Sequence, residues 1–244
     1  MSLARATAMK ASEPEVRVHG TADAELTICS VTLHADCGGV LYWPEERMLI
    51  VSDLHLEKGS SFAARRRMLL PPYDTAETLR NLSIALARYM PRTVVALGDS
   101  FHDGDGSARL SDQDRATISE FQHGRQWIWI AGNHDPDPSY EVGGIHAHTL
   151  SVGPLTFRHI PEGSEGEIAG HLHPSARISV RGRSIARRCF AADAHRIVMP
   201  AFGAYTGGLS IRDRAFLAVF GASGFTAHML GQRRIFAFAA QDCY

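Results

Sequence analysis

Apolar and polar residues alternate in the first part of the chain, a pattern typical of β-strands with one buried face. It predicts strands at Glu15–His19 and Leu26–Leu33. Gly38-Gly39 then interrupts the pattern, and two apolar segments joined by a Pro-Glu-Glu turn predict a hairpin of Val40–Trp43 and Met48–Val51. Because Met48–Val51 is apolar at every position, we expect it to lie in the centre of a sheet.

A repeat of three and four residues predicts helices in the next part of the chain. Asp74 is expected to begin the first helix, because its carboxylate can accept from the first-turn amides and Glu77 follows as in a capping box. The apolar stripe of this helix consists of Leu79, Leu82, Leu86 and Tyr89. A second helix is predicted from Ser111 or Asp112 to His123.

The second helix separates two apolar runs, Val94–Leu97 and Trp127–Ala131, which are predicted to be strands. A strand-helix-strand unit of this kind is parallel and right-handed. The carboxyl ends of both strands therefore lie at one edge of the sheet, where Asp99 and Asn133 follow them.

Short β runs without helical patterning dominate the rest of the chain. Ile145–Leu150 and Leu155–His159 flank Ser151-Val152-Gly153-Pro154 and predict a hairpin. Further strands are expected at Ile178–Val180, Arg196–Met199, Phe216–Val219 and Ile235–Phe238. We therefore predict an α/β fold, a four-layer α-β-β-α sandwich of two mixed sheets, in which the second sheet is mostly antiparallel.

Composition is that of a soluble globular protein, since 45% of the 244 residues are hydrophobic and 21% are charged. The net charge of -1 excludes a global basic field that would attract nucleic acids or acidic membranes. We expect one domain over residues 15–244 after a disordered segment over 1–14, with no signal peptide or membrane span. Four cysteines without zinc or disulfide spacing indicate a reducing cytoplasm.

Metal-ligating residue types follow the ends of several apolar runs. In chain order these sites are Asp53-x-His55, Gly98-Asp99-x-x-His102, Gly132-Asn133-His134-Asp135, His159 and Gly170-His171-x-His173. Alternate residues at an extended strand end point to one side, so each pair can present two ligands together. A single pair carries little information, but five such sites in this order are very improbable by chance.

These five motifs, DxH, GDxx[DH], GNH[DE], a lone H and GHxH, resemble the calcineurin-like metallophosphoesterase superfamily. More narrowly, Ser52–Ala64, Leu70–Thr75, Pro200–Gly203 and Thr206–Leu209 are similar to the bacterial DNA-ligase-associated metallophosphoesterases. The resemblance to that family implies a DNA endonuclease of the damage response, with DNA as substrate and an association with a DNA ligase and a helicase.

The resemblance also implies a centre of two divalent metal ions, with the following ligand sets. One ion is expected on Asp53, His55, Asp99 and His173, and the other on Asp99, Asn133, His159 and His171. Asp99 would therefore touch both ions. Carboxylate, amide and imidazole donors without a thiolate suit Mn, Fe or Zn, of which we favour Mn.

Non-ligating residues complete the expected site. The family pattern makes His134 the group that contacts the phosphate and protonates or stabilises the leaving oxygen, and we expect Asp135 to orient its ring. For His102, a position facing the substrate and one supporting the ligands from behind remain alternatives. Lys58 and Arg65 are candidates for substrate binding, with a solvated charged loop as the alternative for Arg65.

Histidines outside the motifs, including His146 and His148, are expected to be structural or merely exposed. The function predicted from these residues is metal-dependent hydrolysis of phosphodiester bonds, with DNA favoured by resemblance. The alternatives are a small-molecule phosphodiesterase or phosphatase of the same fold and a catalytically inactive binding scaffold. Retention of every ligand position and of His134 favours catalysis over the scaffold.

Overall fold

The computed structural model describes residues 20–21, 23–66, 73–136 and 142–244, which form two β-sheets flanked by helices. The predicted disordered segment over 1–14 and the predicted strand Glu15–His19 lie outside the described residues. The described chain begins with β1 (Gly20–Thr21), which joins the second sheet. The first sheet follows in chain order as β2 (Asp23–Ile28), β3 (Val31–Asp36), β4 (Leu41–Trp43), β5 (Met48–Val51), β6 (Thr93–Leu97), β7 (Gln126–Ile130) and β8 (Ile145–Ala147).

Four helices lie between parallel strands of the first sheet. In chain order they are α1 (Lys58–Arg66) and α2 (Asp74–Tyr89) between β5 and β6, and α3 (Gly106–Arg109) and α4 (Asp112–Gln122) between β6 and β7. A fifth helix, α5 (Arg214–Phe220), follows in the later part of the chain. β4 and β5 form the predicted antiparallel hairpin, whereas β5, β6, β7 and β8 pair in parallel. The predicted parallel strand-helix-strand unit is therefore confirmed, and the carboxyl ends of these strands meet at one edge.

The second sheet contains the strands of the later chain together with β1. These strands are β9 (Thr149–Val152), β10 (Leu155–Arg158), β11 (Glu167–Ala169), β12 (Pro174–Val180), β13 (Arg183–Ala192), β14 (Arg196–Val198), β15 (Leu209–Ser210), β16 (Thr226–Leu230) and β17 (Ile235–Ala239). The main spatial order is β1-β17-β16-β13-β14-β11-β10-β9, with β12 and β15 pairing to one side. Most pairs are antiparallel, but β10, β11 and β14 are parallel neighbours.

Three apolar cores hold the layers together. The core between the two sheets includes Ile50, Leu97, Phe157 and Phe190. α2 covers the outer face of the first sheet through Leu82, and α5 covers the outer face of the second through Phe216. This arrangement confirms the α-β-β-α sandwich. Within the described ranges, no helix is both long enough and apolar enough to cross a membrane.

Two predicted strands have different boundaries in the structure. The segment Leu26–Leu33 is not one strand, because Cys29 and Ser30 have φ angles of 48° and 67° and form the turn of a β2-β3 hairpin. Alternation continues across this turn without the usual glycine or asparagine, so the pattern conceals it. Ile145–Leu150 is also divided, since β8 belongs to the first sheet and β9 to the second.

The prediction of a strand at Phe216–Val219 is wrong, since these residues lie in α5. The side chain of Asp213 caps this helix by accepting from the Ala215 amide at 2.9 Å. Phe216 and Val219 then face the core at helical spacing. A short apolar run is compatible with either a strand or a buried helix, which explains the error.

The predicted capping box at the start of α2 is also wrong. The helix begins at Asp74, but the Asp74 carboxylate accepts from the Gly59 amide at 2.9 Å. Glu77 instead pairs with Arg80 at 2.6 Å. A tertiary contact therefore replaces the cap expected from Asp74 and links α1 to α2, while Glu77 forms an ion pair within its own helix.

Truncation of Leu82 to alanine should lower the free energy of unfolding by about 2–5 kcal/mol, because this α2 side chain is 1% exposed. Ile84→Ala on the same helix is the matched control, since Ile84 is 57% exposed and should change stability by about 0.5 kcal/mol or less. Urea unfolding followed by circular dichroism measures both. Equal losses in the two variants would contradict the position of α2.

Candidate metal centre

Three neighbouring strands of the first sheet deliver polar side chains to the same edge. Asp53 follows β5, Asp99 follows β6 and Asn133 follows β7. The backbone pairing of β5 and β6 continues beyond the strands, because the His55 amide donates to the Asp99 carbonyl at 2.9 Å and the Leu56 amide donates to the Ser100 carbonyl at 2.9 Å. This continued pairing holds the two ligand loops side by side.

The second sheet supplies three histidines from the opposite side. His159 follows β10 and His171 comes two residues after β11, and these strands are parallel neighbours. The Gly170 amide donates to the His159 carbonyl at 3.0 Å, which holds the two loops together. His173 directly precedes β12. Carboxyl ends of parallel strands therefore build both halves of the site.

Five of the candidate ligands adopt left-handed backbone conformations. Their φ angles are 53° at Asp53, 45° at His55, 45° at Asp99, 67° at His171 and 46° at His173. Such conformations cost side-chain-bearing residues roughly 1–3 kcal/mol each and persist where surrounding contacts impose them. Their concentration at these positions marks the edge as a functional site.

Motif glycines permit the loops to approach closely. A Cβ atom on Gly98 would lie 2.5 Å from the His159 ring, and one on Gly170 would lie 1.9 Å from Ser52 Oγ. The Ser52 hydroxyl in turn donates to the Asp53 carboxylate. These glycines are therefore required by the packing of ligand against ligand.

The structure brings all seven predicted ligands together in two adjoining clusters. Ligand atoms of Asp53, His55 and His173 lie within 4.8 Å of one another, as do those of Asp99, His159 and His171. Asn133 joins the second cluster through Oδ1, which is 2.9 Å from His159 Nε2. Asp99 lies between the clusters, since its Oδ1 is 3.3 Å from His159 Nε2 and its Oδ2 is 3.9 Å from His55 Nε2.

Hydrogen bonds on the outer side of the rings show that the clusters suit cations. His159 Nδ1 donates to the Leu97 carbonyl at 2.8 Å, and His173 Nδ1 faces the Gly207 carbonyl at 3.2 Å. In a neutral ring the opposite nitrogen, Nε2, then carries a lone pair. His173 Nε2 faces Asp53 Oδ1 at 3.1 Å and His55 Nε2 at 3.4 Å. Convergent lone pairs repel unless a positive charge lies among them, so these residues fit metal ligation.

The pKa values of His55 and Asp99 agree with this fit, whereas at His159 burial acts to lower the pKa but the hydrogen bond to Asp99 and the charges of Asp53 and Asp99 outweigh it and raise the value. Burial lowers the pKa of His55 to about 3, despite the negative charges of Asp53 and Asp99. For Asp99, burial acts to raise the pKa, but the hydrogen bond and charge of His159 outweigh it and lower the value to about 2. A neutral imidazole and an ionised carboxylate are the forms that bind metals.

His102 and His134 lie beside the clusters. Their rings stack with centroids 5.2 Å apart, and His134 Nδ1 is 2.8 Å from the His102 carbonyl oxygen. Because a carbonyl only accepts, this contact assigns the Nδ1 proton, and His134 Nε2 lies 3.9 Å from Asp99 Oδ2. His134 is exposed, so a substrate can reach it.

Asp135 has a different role from the one expected. Its carboxylate accepts from the Phe101 amide at 3.0 Å and from the Gly132 amide at 3.1 Å. The oxygen that fixes the His134 ring is the His102 carbonyl, so the prediction that Asp135 orients His134 is corrected. Asp135 instead joins the loops after β6 and β7, and burial raises its pKa to about 6.

The predicted substrate-binding residues lie on α1. Lys58 begins this helix near Asp74, and burial lowers the pKa of Lys58 while the charge of Asp74 partly offsets the effect. The backbone of Arg65 belongs to α1, but its side chain lies outside the described part of the structure. Contact of either residue with substrate therefore stays a prediction.

Sequence reasoning missed Phe62 and the support behind α1. The Phe62 ring lies 5.5 Å from the His102 ring, so a row of three rings leads through His102 to His134. Buried Glu57 accepts from the Thr75 hydroxyl at 3.0 Å and from the Ser60 hydroxyl at 2.5 Å, which fixes the start of α1. An isolated phenylalanine in a polar helix carries no sequence signal for this contact.

Comparison with known proteins identifies the class. A family model described as calcineurin-like phosphoesterase matches residues 46–182, more than half of the chain. The chain therefore belongs to the calcineurin-like phosphoesterase family and is a metal-dependent phosphoesterase. The comparison with curated proteins finds no match.

A solved structure gives independent support for the fold. The nuclease MPE of Pseudomonas putida superposes with a TM-score of 0.67 and 24% sequence identity, covering 88% of this chain and 100% of that chain. At this level of identity, the similarity shows that the two proteins share the same fold.

Gly170→Ala should displace Asp53, because the new Cβ would lie 2.6 Å from its Oδ2. We expect metal affinity to fall by about 10–100-fold, the usual loss when groups supporting ligands are disturbed. Metal content after dialysis against graded chelator measures the effect. Gly104→Ala is the control, since its Cβ would meet nothing within 4 Å, and comparable losses in both variants would contradict this packing.

Proposed function

We propose that this protein is an endonuclease that hydrolyses phosphodiester bonds in DNA with two divalent metal ions. The observation that carries the proposal is the position of Asp99 between two clusters of ligand atoms. Asp53, His55 and His173 would hold one ion, Asn133, His159 and His171 the other, and Asp99 would contact both. Manganese is the favoured metal, with iron or zinc as alternatives, since oxygen and imidazole donors without thiolate suit all three.

Two ions so held would acidify a water and neutralise charge on the phosphate oxygens during in-line displacement. The chain's own contribution is to fix the ligands before substrate arrives. The Leu97 and Gly207 carbonyls hold the rings of His159 and His173, and the Ser52 hydroxyl holds Asp53. Such fixed ligands need little rearrangement when a phosphate binds.

His134 is the proposed proton donor to the leaving oxygen. The His102 carbonyl occupies its Nδ1, which leaves Nε2 as the atom that faces the ligands. Nε2 carries a proton only in the imidazolium form, so the acid is a positively charged ring that also attracts the phosphate. Stacking on His134 favours a position for His102 beside the substrate.

DNA is the proposed substrate for two reasons. The structurally similar Pseudomonas putida protein is described as a nuclease. Several stretches, among them Ser52–Ala64, resemble the DNA-ligase-associated metallophosphoesterases. We therefore propose membership of that narrower family, a role in DNA repair and a functional association with a ligase and a helicase.

Asp99→Asn should remove most metal from both clusters, because this carboxylate adjoins both. His173→Ala should mainly affect the Asp53 cluster and leave about one ion per chain, since a site rarely survives loss of one of so few ligands. Metal analysis of purified variants, with circular dichroism to verify folding, measures the difference. Equal stoichiometry in the two variants would contradict the bridging position of Asp99.

His134→Ala should lower the rate of single-stranded DNA cleavage with Mn by about 10²–10⁴-fold, the usual contribution of a proton-transfer group. Hydrolysis of a bis-aryl diester should fall less, because its leaving group needs little protonation. His195→Ala is the control, since the His195 side chain is 54% exposed and lies outside the motifs. Full DNA cleavage by His134→Ala would refute the role of His134 as the acid. Inactivity of the wild type toward both substrates would refute the proposal that the protein is an enzyme.

A further inference from the structure

An open cleft of about 250 Å³ adjoins the cluster of Asn133 and His159. Its described lining also includes His148, Arg158, Ile160 and Glu162. Because two of the metal-ligand residues form part of its wall, a phosphate held at the ligands would place the rest of its substrate at the mouth of this cleft.

The positive charge of Arg158 in this wall is already compensated by neighbouring carboxylates. Arg158 forms an ion pair with Glu162, and its Nε lies 3.3 Å from Glu167 Oε1. The buried Glu167 carboxylate also accepts from the amides of Glu162 and Gly163, both at 2.9 Å. Arg158 is thus neutralised within the chain, so the cleft is poorly suited to a second phosphate group.

The same wall offers an apolar contact. Ile160 is 50% exposed although it directly follows the buried ligand His159, and it lines the cleft. The exposed ring of His148 lies in the same lining, so this histidine, expected from the sequence to be structural or merely exposed, stands at the site. An isoleucine and an imidazole favour a neutral, flat group. The cleft volume is slightly below the usual ~300–1,000 Å³ of small-molecule sites, which suits one such group rather than several.

We propose that this cleft binds the nucleoside on one side of the scissile phosphate, with Ile160 and His148 as its contacts. The inference rests on the proposed function and names the substrate group that this part of the site recognises. The phosphate would contribute to the free energy of binding through its contacts at the metal ligands. The nucleoside would contribute to it because its apolar surface is removed from water in the cleft.

Two esters with the same leaving group test the proposal: the para-nitrophenyl ester of thymidine monophosphate and methyl para-nitrophenyl phosphate. They differ only in having a nucleoside or a methyl group on the phosphate. With Mn, the wild type should have the higher kcat/KM for the thymidine ester. Ile160→Ser should reduce that value about fivefold and leave the methyl ester within about twofold, since only the nucleoside loses apolar contact. His148→Ala should show the same selectivity.

Ile84→Ser is the matched control, because Ile84 is equally apolar and 57% exposed on α2. Ile84→Ser should leave kcat/KM unchanged for both esters. Equal losses on both esters in Ile160→Ser would overturn the proposal, since Ile160 would then act through His159. Unchanged kinetics on the thymidine ester would also overturn it, whereas a wild type inactive on both esters would remove the proposed function itself.

Discussion

The carboxylate of Asp99 is the group around which the two sheets meet. Its Oδ1 accepts from the His134 amide at 2.9 Å and faces His159, while Oδ2 faces His55. Burying an ionised carboxylate is unfavourable unless charge or hydrogen bonds compensate for it. A cation among the surrounding rings would provide that compensation, and both sheets supply residues that would hold it. The electrostatics of this carboxylate therefore join the fold to the chemistry of the site.

Surrounding contacts impose the strained backbone conformations of the ligand loops. Left-handed conformations at Asp53, Asp99 and His171 are unfavourable for residues with side chains. Backbone pairing that extends beyond β5 and β6 imposes two of them, and Asp135 adds a link to the loop after β7. The core between the sheets keeps these loops aligned, so deeply buried residues far from the site contribute to its geometry.

The local sequence pattern predicted the parallel part of the first sheet, because the geometry of a strand-helix-strand unit follows from short-range rules. Parallel strands joined by a helix must present their carboxyl ends at one edge, so Asp99 and Asn133 could be placed together from sequence. Patterns failed where tertiary contacts compete with local preference. Asp74 bonds to Gly59 rather than capping α2. The error at Phe216–Val219 has a different cause, because a short apolar run fits either a strand or a buried helix, and the local cap at Asp213 was not recognised. β13 was not predicted because it has no clear alternation, and β16 was not predicted although its residues Thr226–Met229 alternate between polar and apolar.

The sequence by itself determined which residues can ligate metal and that they follow strand ends, since residue type and spacing are local properties. Only the tertiary structure decided how ligands from β10 and β11 face those from β5 and β6, because packing of two sheets depends on contacts distant in sequence. It likewise placed Asp135 on backbone amides and put Ile160 and His148 in one cleft. These contacts depend on the relative position of the sheets, which no local pattern encodes.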